Sequence, residues 1–403
     1  MKNLFKNIGP GPLVAAAFIG PGTVTLCTLA GINFGFGLLW ALLLSIFATV
    51  ILQEMAARLG IVTQKGLSET LREEVQHPIL KTLIVTLILS AIVIGNAAYE
   101  AGNISGGALG IETLFGKFKF AGLDVWPILI GISAFVMLWI GNYKVIERSL
   151  IALVVLMSLA FIVTAILTKP DITAVFKGLF TPRISNQNIL TVIGLIGTTV
   201  VPYNIFLHAS LAKTKWDSKS DLKYARKDTI IAVVLGGVVS MCIVICAAAV
   251  NQKNIANAAD LALGLQPLFG EFAGFFLSIG LFAAGITSAI AAPLAAAFVT
   301  SGCLGWKSNL KSKKFRMVWA FILLLGVVFS SVGFKSIEII KFAQVANGLL
   351  LPIIAGVLLW IMNKSNILGP HKNALIQNIL GIVIFAVTIF LGGKTILSVF
   401  NVI

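Results

Sequence analysis

The chain has 403 residues, of which 58% are hydrophobic and only 11% charged, and its mean hydropathy is +1.00. Soluble domains carry about 25% charged residues, so the composition excludes a soluble globular protein and predicts an all-α polytopic membrane protein. The formal charge of +15 does not indicate a nucleic-acid partner, because membrane proteins gather Lys and Arg in their cytoplasmic loops.

A helix needs about 20 mainly apolar residues to cross a bilayer. That rule predicts eleven spans, at roughly 10–32, 36–57, 80–106, 125–142, 147–168, 188–211, 228–250, 264–302, 315–333, 340–362 and 374–400. The loops are short, so residues 1–403 form one integral-membrane domain. The first span is too long and too rich in Gly and Pro for a cleaved signal peptide and is expected to stay in the mature chain. With the N-terminus inside, 21 of the 30 Lys and Arg residues fall in cytoplasmic segments. The expected location is therefore the inner (cytoplasmic) membrane, with the N-terminus cytoplasmic and the C-terminus outside.

Gly20-Pro21-Gly22-Thr23 interrupts the first span. Proline removes a backbone donor and glycine weakens helix, so this helix is expected to break there. Gly20 and Gly22 would let a ligand approach the backbone closely. In the second span, Glu54 and Arg58 are four residues apart, the spacing of a structural ion pair at an exposed helix end. His77 and His371 fall in loops.

Glu100 lies deep in the third span, with Asn96 and Asn103 within a turn. An intramembrane carboxylate is a functional candidate, here for a coupling proton or a cationic substrate. The plainer alternative is an ion pair with a base on another helix.

Val201-Pro202-Tyr203-Asn204 interrupts the sixth span, and Thr198 and Thr199 precede it. His208 lies one turn beyond Asn204 on nearly the same face and is a second candidate for proton handling. Cys27, Cys242, Cys246 and Cys303 show no metal-ligand spacing and are expected to fill apolar space. Trp40, Trp126, Trp139, Trp319 and Trp360 lie towards span ends, as an interfacial belt would place them.

The two breaks are five spans apart. The simplest architecture is an inverted repeat of roughly 9–168 and 188–362, with an extra helix at roughly 374–400. Broken helices at matching places mark a transporter's substrate site, because each break exposes free N–H groups on one half-helix and free carbonyls on the other.

Several runs carry a family resemblance. Gly9-Pro10-Gly11 through Gly20-Pro21-Gly22-Thr23 resembles the opening of the Nramp family of proton-coupled divalent-metal transporters, in which a GPG run leads to an Asp-Pro-Gly-Asn break. The run from Gln53 to Thr63 is similar to the family's second-helix exit. Ile196-Gly197-Thr198-Thr199-Val200-Val201-Pro202-Tyr203-Asn204 continuing to His208 is similar to its sixth helix, usually written with Met-Pro-His-Asn. Ala284-Gly285-Ile286-Thr287-Ser288 resembles its eighth helix, and Gln344 with Pro352 its tenth. The resemblance covers nearly the whole chain and implies an eleven-helix LeuT-type fold with helices 1 and 6 broken.

The departures concentrate in the metal site. The family's first-helix Asp and Asn are Gly20 and Thr23 here, and its sixth-helix Met is Val201. Its first sixth-helix His is Tyr203, its eighth-helix Gln is Ile286, and an Asp three residues before the third-helix acid is Ala97. Thr199, Asn204, Gln344, Glu100 and His208 are retained. No conventional manganese or iron ligand set can be named.

The expected function is an Nramp-like secondary transporter working by alternating access, carrying a divalent metal ion through an altered, carboxylate-free site. Gly20, Gly22, Thr23, Thr199, Tyr203, Asn204 and Gln344 are the expected substrate-binding residues. Glu100 and His208 are the expected proton pathway, if transport is coupled to H+. The resemblance implies a basic residue on that pathway, for which Arg316 is the candidate; anchoring a positive loop is the simpler role.

Two alternatives stand beside this reading. One is a small organic solute, an amino acid or carboxylate held at the Gly-Pro-Gly break. The other is a non-transporting membrane sensor. There is no Gly-x-x-x-x-Gly-Lys-Ser/Thr run and no nucleophile–base–acid set, so an enzyme is not expected, and neither is a cofactor. The expected partners are the transported solute and the lipid bilayer.

Overall fold

The structure is a computed structural model that describes residues 19–141, 144–250, 255, 258–306 and 309–399. The first Gly-Pro-Gly run and the first half of the first expected span lie outside the described residues. The described remainder of that span is α1 (Pro21–Phe34), followed by α2 (Leu39–Thr63) and the short α3 (Leu67–Glu74). α4 (Pro78–Phe115), α5 (Val125–Ile140), α6 (Lys144–Leu167) and α7 (Ile172–Phe180) follow.

The second half opens with α8 (Ile189–Thr199) and α9 (Pro202–Lys215) and continues through α10 (Leu222–Ala248). Two short helices, α11 (Ala258–Ala262) and α12 (Gln266–Phe269), lead into α13 (Ala273–Leu304). α14 (Lys313–Ser331), α15 (Ser336–Met362), the short α16 (Ser365–Leu368) and α17 (Leu375–Val399) complete the chain. Among the described residues nine helices are long and apolar enough to cross a membrane, with α8 and α9 taken as one, and α5 is a shorter apolar helix. With α1, every expected span has its helix.

Two departures from the expected boundaries have physical reasons. The third span was expected to end near residue 106, yet α4 runs for 38 residues. At 1.5 Å per residue that is about 57 Å, well beyond the bilayer core; the 20-residue rule measures hydrocarbon thickness, not helix length. A minimal hairpin, β1 (Lys119–Phe120) with β2 (Leu123–Asp124), joins α4 to α5. Its turn residues Ala121 and Gly122 have φ of 50° and 83°, the positive values a two-residue hairpin turn needs.

Small residues make α4 the central post. A Cβ placed on Gly106 would fall 2.0 Å from the Pro21 side chain, and one on Gly110 would fall 2.4 Å from the Ser278 carbonyl. Gly107 meets the backbone of Gly285 on α13, and Gly102 meets Ala343 on α15. Helices without side chains at the crossing come close enough for extensive dispersion contact, the main attraction between helices in lipid. Large apolar side chains on the outer faces, such as Ile132, Phe135, Leu156, Leu235 and Phe321, are exposed and suit a hydrocarbon solvent.

The tryptophan belt holds only in part. Trp139 and Trp360 are exposed, whereas Trp319 and Trp40 are buried at 1% and 6% exposure. Trp319 instead packs edge-on against Phe135. The cysteines are free, and Cys246 donates to the Phe161 carbonyl at 3.4 Å rather than joining Cys242.

The Glu54–Arg58 pair forms at 3.1 Å, but as the hub of a network rather than a local exposed pair. Arg58 is 2% exposed and also donates to the His371 carbonyl at 2.7 Å and to Asn373 Oδ1 at 2.8 Å. Arg226 donates to the other oxygen of Glu54 at 2.7 Å. Nearby, Lys213 binds Glu69 at 2.7 Å and Lys364 binds Glu74 at 3.1 Å. This face ties α2, α3, α9, α10 and the α16–α17 linker together. Replacing Arg58 by Ala leaves buried acceptors without a donor and is expected to cost about 3 kcal/mol. The check is the thermal midpoint of the purified protein, which a merely exposed pair would leave unchanged.

Candidate functional site

The site is built by two helix breaks. Gly20 is extended (φ −95°, ψ −177°), and Pro21 opens α1 as its first residue, a position where proline's missing N–H costs nothing. The first bond of α1 runs from Val24 N–H to the Gly20 carbonyl at 3.2 Å. The N–H group of Gly22 therefore has no acceptor within the helix.

In the sixth span, α8 ends at Thr199, Val200 and Val201 are non-helical, and Pro202 opens α9. At this break the C-terminus of α8 and the N-terminus of α9 are separated by two non-helical residues. Val201, at the family's Met position, is fully buried and offers only alkyl carbon.

The breaks meet side by side. Thr23 Oγ1 lies 2.8 Å from Thr198 Oγ1. Thr199, the threonine expected at the site, turns its hydroxyl back to the Leu195 carbonyl at 3.0 Å, while its own carbonyl accepts from Thr49 at 3.4 Å. So of the two adjacent threonines, Thr198 makes the hydroxyl contact between the breaks. A threonine deep in a helix satisfies itself on the i−4 carbonyl unless a cross-helix partner is nearer, and only the packing shows which has one.

Gln344 closes the third side. A Cβ on Gly22 would fall 2.2 Å from Gln344 Nε2, and a Cβ on Gly197 would fall 2.0 Å from the Gln344 carbonyl. Both glycines thus admit α15, and the space in front of Gly22 is occupied by an amide of the protein itself.

Asn204 is fully buried with neither amide atom hydrogen-bonded, and Gln344 Oε1 and the Tyr203 hydroxyl are also buried without partners. Buried polar groups are normally paired, so this cluster of orphaned atoms at the breaks is a set of groups that a polar ligand would satisfy. Among the described residues no group of three His, Cys, Asp or Glu side chains could hold a metal ion.

Two residues that the sequence reading passed over complete the surroundings. Tyr99 on α4 meets Tyr203 edge-on, with ring centroids 5.3 Å apart. Gln53 on α2 places Oε1 2.7 Å from His208 Nδ1. An acceptor there calls for the N–H on Nδ1 and leaves Nε2, which has no partner, as a lone pair. Tyr99 adjoins Glu100 in sequence, and Gln53 opens the run that is similar to the family's second-helix exit; no local pattern marks either as part of the site.

Glu100 is fully buried. Among the described residues it has no Lys or Arg partner; Asn103 Nδ2 lies 3.4 Å from Oε2, and Oε1 has no partner. An ion pair with a base on another helix is thus absent among the described residues. Gly326 on α14 is what makes room for it, since a Cβ there would fall 2.5 Å from Glu100 Cγ. Asn96 instead donates to the Ala292 carbonyl at 3.0 Å.

Arg316 lies ten residues before Gly326 on α14, about 15 Å along the axis. Its guanidinium sits 4.1 Å over the Trp139 ring and donates to the Trp139 carbonyl at 3.3 Å. It pins α14 to the end of α5 and does not reach Glu100.

A family model for natural resistance-associated macrophage protein-like (Nramp) proteins matches residues 11–398. The divalent metal cation transporter MntH of Yersinia pestis is 27% identical over 401 residues, covering 97% of this chain and 94% of that protein. The chain also superposes on a crystal structure of the Eremococcus coleocola manganese transporter, with a TM-score of 0.80 at 22% identity over 98% of this chain and 87% of that one. A more distant likeness is to MhsT in complex with L-phenylalanine, with a TM-score of 0.63 at 15% identity, covering 96% and 98%. The chain belongs to the Nramp family and is a multi-pass membrane transporter of the LeuT-type fold, not an enzyme.

Proposed function

We infer that this chain carries a divalent metal ion across the cytoplasmic membrane by alternating access, through a site that lacks the family's carboxylate and thioether. The observation that carries this reading is the set of orphaned oxygens at the breaks: Asn204 Oδ1, Gln344 Oε1 and the Tyr203 hydroxyl, all buried. Neutral oxygens suit a hard cation that keeps part of its water, as Mg²⁺ commonly does, better than a soft transition metal. Gly20, Gly22 and Thr23 supply backbone and hydroxyl groups, and Thr199 supplies its carbonyl. The curated relatives are metal cation transporters, which supports the substrate class. Residues 9–168 and 188–362 act as the two inverted repeats, and the N-terminus is cytoplasmic and the C-terminus outside, with H+ handled at Glu100 and His208.

One observation favours a second reading. Asn204 Nδ2 and Asn347 Nδ2 are orphaned donors. Donors suit the carboxylate of a small organic solute, not a cation.

Uptake into proteoliposomes separates the two. Mn²⁺, Mg²⁺ and a panel of small amino and carboxylic acids are offered with and without a pH gradient. Mg²⁺ or Mn²⁺ flux is the expected result. Organic-solute flux without metal flux would replace the first reading by the second, and no flux of either would leave a sensor.

A further inference from the structure

On the membrane face opposite the lysine-rich segment at 213–227, a cavity of about 310 Å³ opens between α7 and the corner that joins α1 to α2. Its walls include Phe34 and Phe36 from the corner and Lys177, Thr181 and Arg183 from α7 and its exit. We propose that this cavity binds the phosphate headgroup of an anionic phospholipid, and that the lipid thereby bears on α1, the half-helix that begins at the Gly-Pro-Gly break.

The charge comes first. This face carries the minority of the basic residues, so the rule that gathers Lys and Arg on one side does not account for two of them at one cavity. Neither the Lys177 nor the Arg183 side chain has an ion-pair partner among the described residues, and no acid lines the cavity. The nearest acid in sequence, Asp171, is spent on capping α7, accepting from Thr173 N–H at 2.9 Å and Ala174 N–H at 3.2 Å. A guanidinium fork beside an ammonium and a hydroxyl is a donor set for phosphate.

The apolar side selects a lipid over a soluble anion. Ile172, Phe176 and Phe180 recur every four residues on α7 and are exposed, with the two Phe rings stacked at 6.4 Å. Val175 and Leu179 pack on the protein core instead. An amphipathic helix with an outward apolar face and a basic residue beside it lies in the headgroup layer. Acyl chains along Phe176 and Phe180 would then put their phosphate at the cavity.

Gly178 ties the cavity to transport. A Cβ there would fall 2.1 Å from the Phe36 carbonyl, so α7 rests directly on the corner that ends α1. A lipid wedged between them braces α1 from outside the substrate site, whichever substrate is carried.

The test is native mass spectrometry of the purified full chain, offered phosphatidylglycerol against phosphatidylcholine. Wild type should retain phosphatidylglycerol by roughly twentyfold, given two basic groups near the phosphate. The double variant Lys177→Gln with Arg183→Gln should lose that preference. The charge-keeping Lys177→Arg with Arg183→Lys, and the control Lys169→Gln, should keep it. These side chains are exposed, so folding is not at stake. Equal retention by wild type and the double Gln variant would overturn the site. In a second arm, inorganic phosphate is added to protein in phosphatidylcholine. No protection against thermal unfolding is expected; protection matching that of phosphatidylglycerol would overturn the lipid in favour of a soluble anion.

Discussion

Gly22→Val will abolish uptake, by at least about a hundredfold, in a protein that still folds and inserts. The reason is what the new side chain meets. Its Cβ would fall 2.2 Å from Gln344 Nε2 and 2.5 Å from Gln344 Cδ, the far end of a flexible side chain. Gln344 can swing away at a cost of about 1–3 kcal/mol for overpacking, which the remaining helix contacts tolerate. The site, however, loses an amide and gains two methyl groups where the half-helix N–H groups lie, and a misplacement of about 1 Å at a reacting or binding centre costs roughly a hundredfold.

Gly197→Ala provides the contrast. Its Cβ would fall 2.0 Å from the Gln344 carbonyl and 2.6 Å from Gly348 N, both backbone atoms that cannot swing. That variant is expected to lose yield and thermal stability along with uptake. Normal solute uptake by well-folded Gly22→Val protein would show that the substrate does not sit at this break.

Glu100→Gln will separate solute movement from proton movement. Gln keeps the shape of Glu100 and can keep the 3.4 Å contact with Asn103, so packing against Gly326 is preserved. It holds no titratable proton. Among the described residues Glu100 is the one fully buried carboxylate, and Tyr99 beside it touches Tyr203 at the sixth-span break. Solute-driven acidification of vesicles is expected to fall at least about a hundredfold, the lower end of what loss of a proton-transfer group costs, while solute still equilibrates down its own gradient. Acidification at the wild-type rate in the variant would remove Glu100 from proton handling. His208→Gln is the companion measurement, because its Nε2 is buried without a hydrogen-bond partner.

Much of this site is legible in the sequence because backbone chemistry writes it there. Pro21 and Pro202 each begin a half-helix, for the local reason that a proline lacks the donor an unbroken helix would need. Glu100 stands out because a carboxylate among apolar residues is rare.

The partners of these residues are not written locally. Nothing in the sequence distinguishes Thr198 from Thr199, yet one reaches Thr23 and the other returns to its own helix. Gln53 and Tyr99 lie 155 and 104 positions from the residues they touch, His208 and Tyr203. The sequence shows the Glu54–Arg58 spacing, but not that Arg226, His371 and Asn373 converge on it and bury it.

By itself, then, the sequence determined the membrane class, the apolar helices among the described residues, the two prolines that open α1 and α9, and the family, since hydropathy, proline and glycine act within a few residues of where they stand. Only the tertiary structure decided that α4 is a long post reaching past the bilayer core, that Trp319 and Trp40 belong to the core rather than an interfacial belt, and that Gly22 faces Gln344 instead of open space. Those are matters of which helix faces cross, and crossing is decided by the fit of small residues such as Gly102, Gly106 and Gly107 on one helix against Ala343, Pro21 and Gly285 far away in the chain, an energy of contact that no local pattern carries.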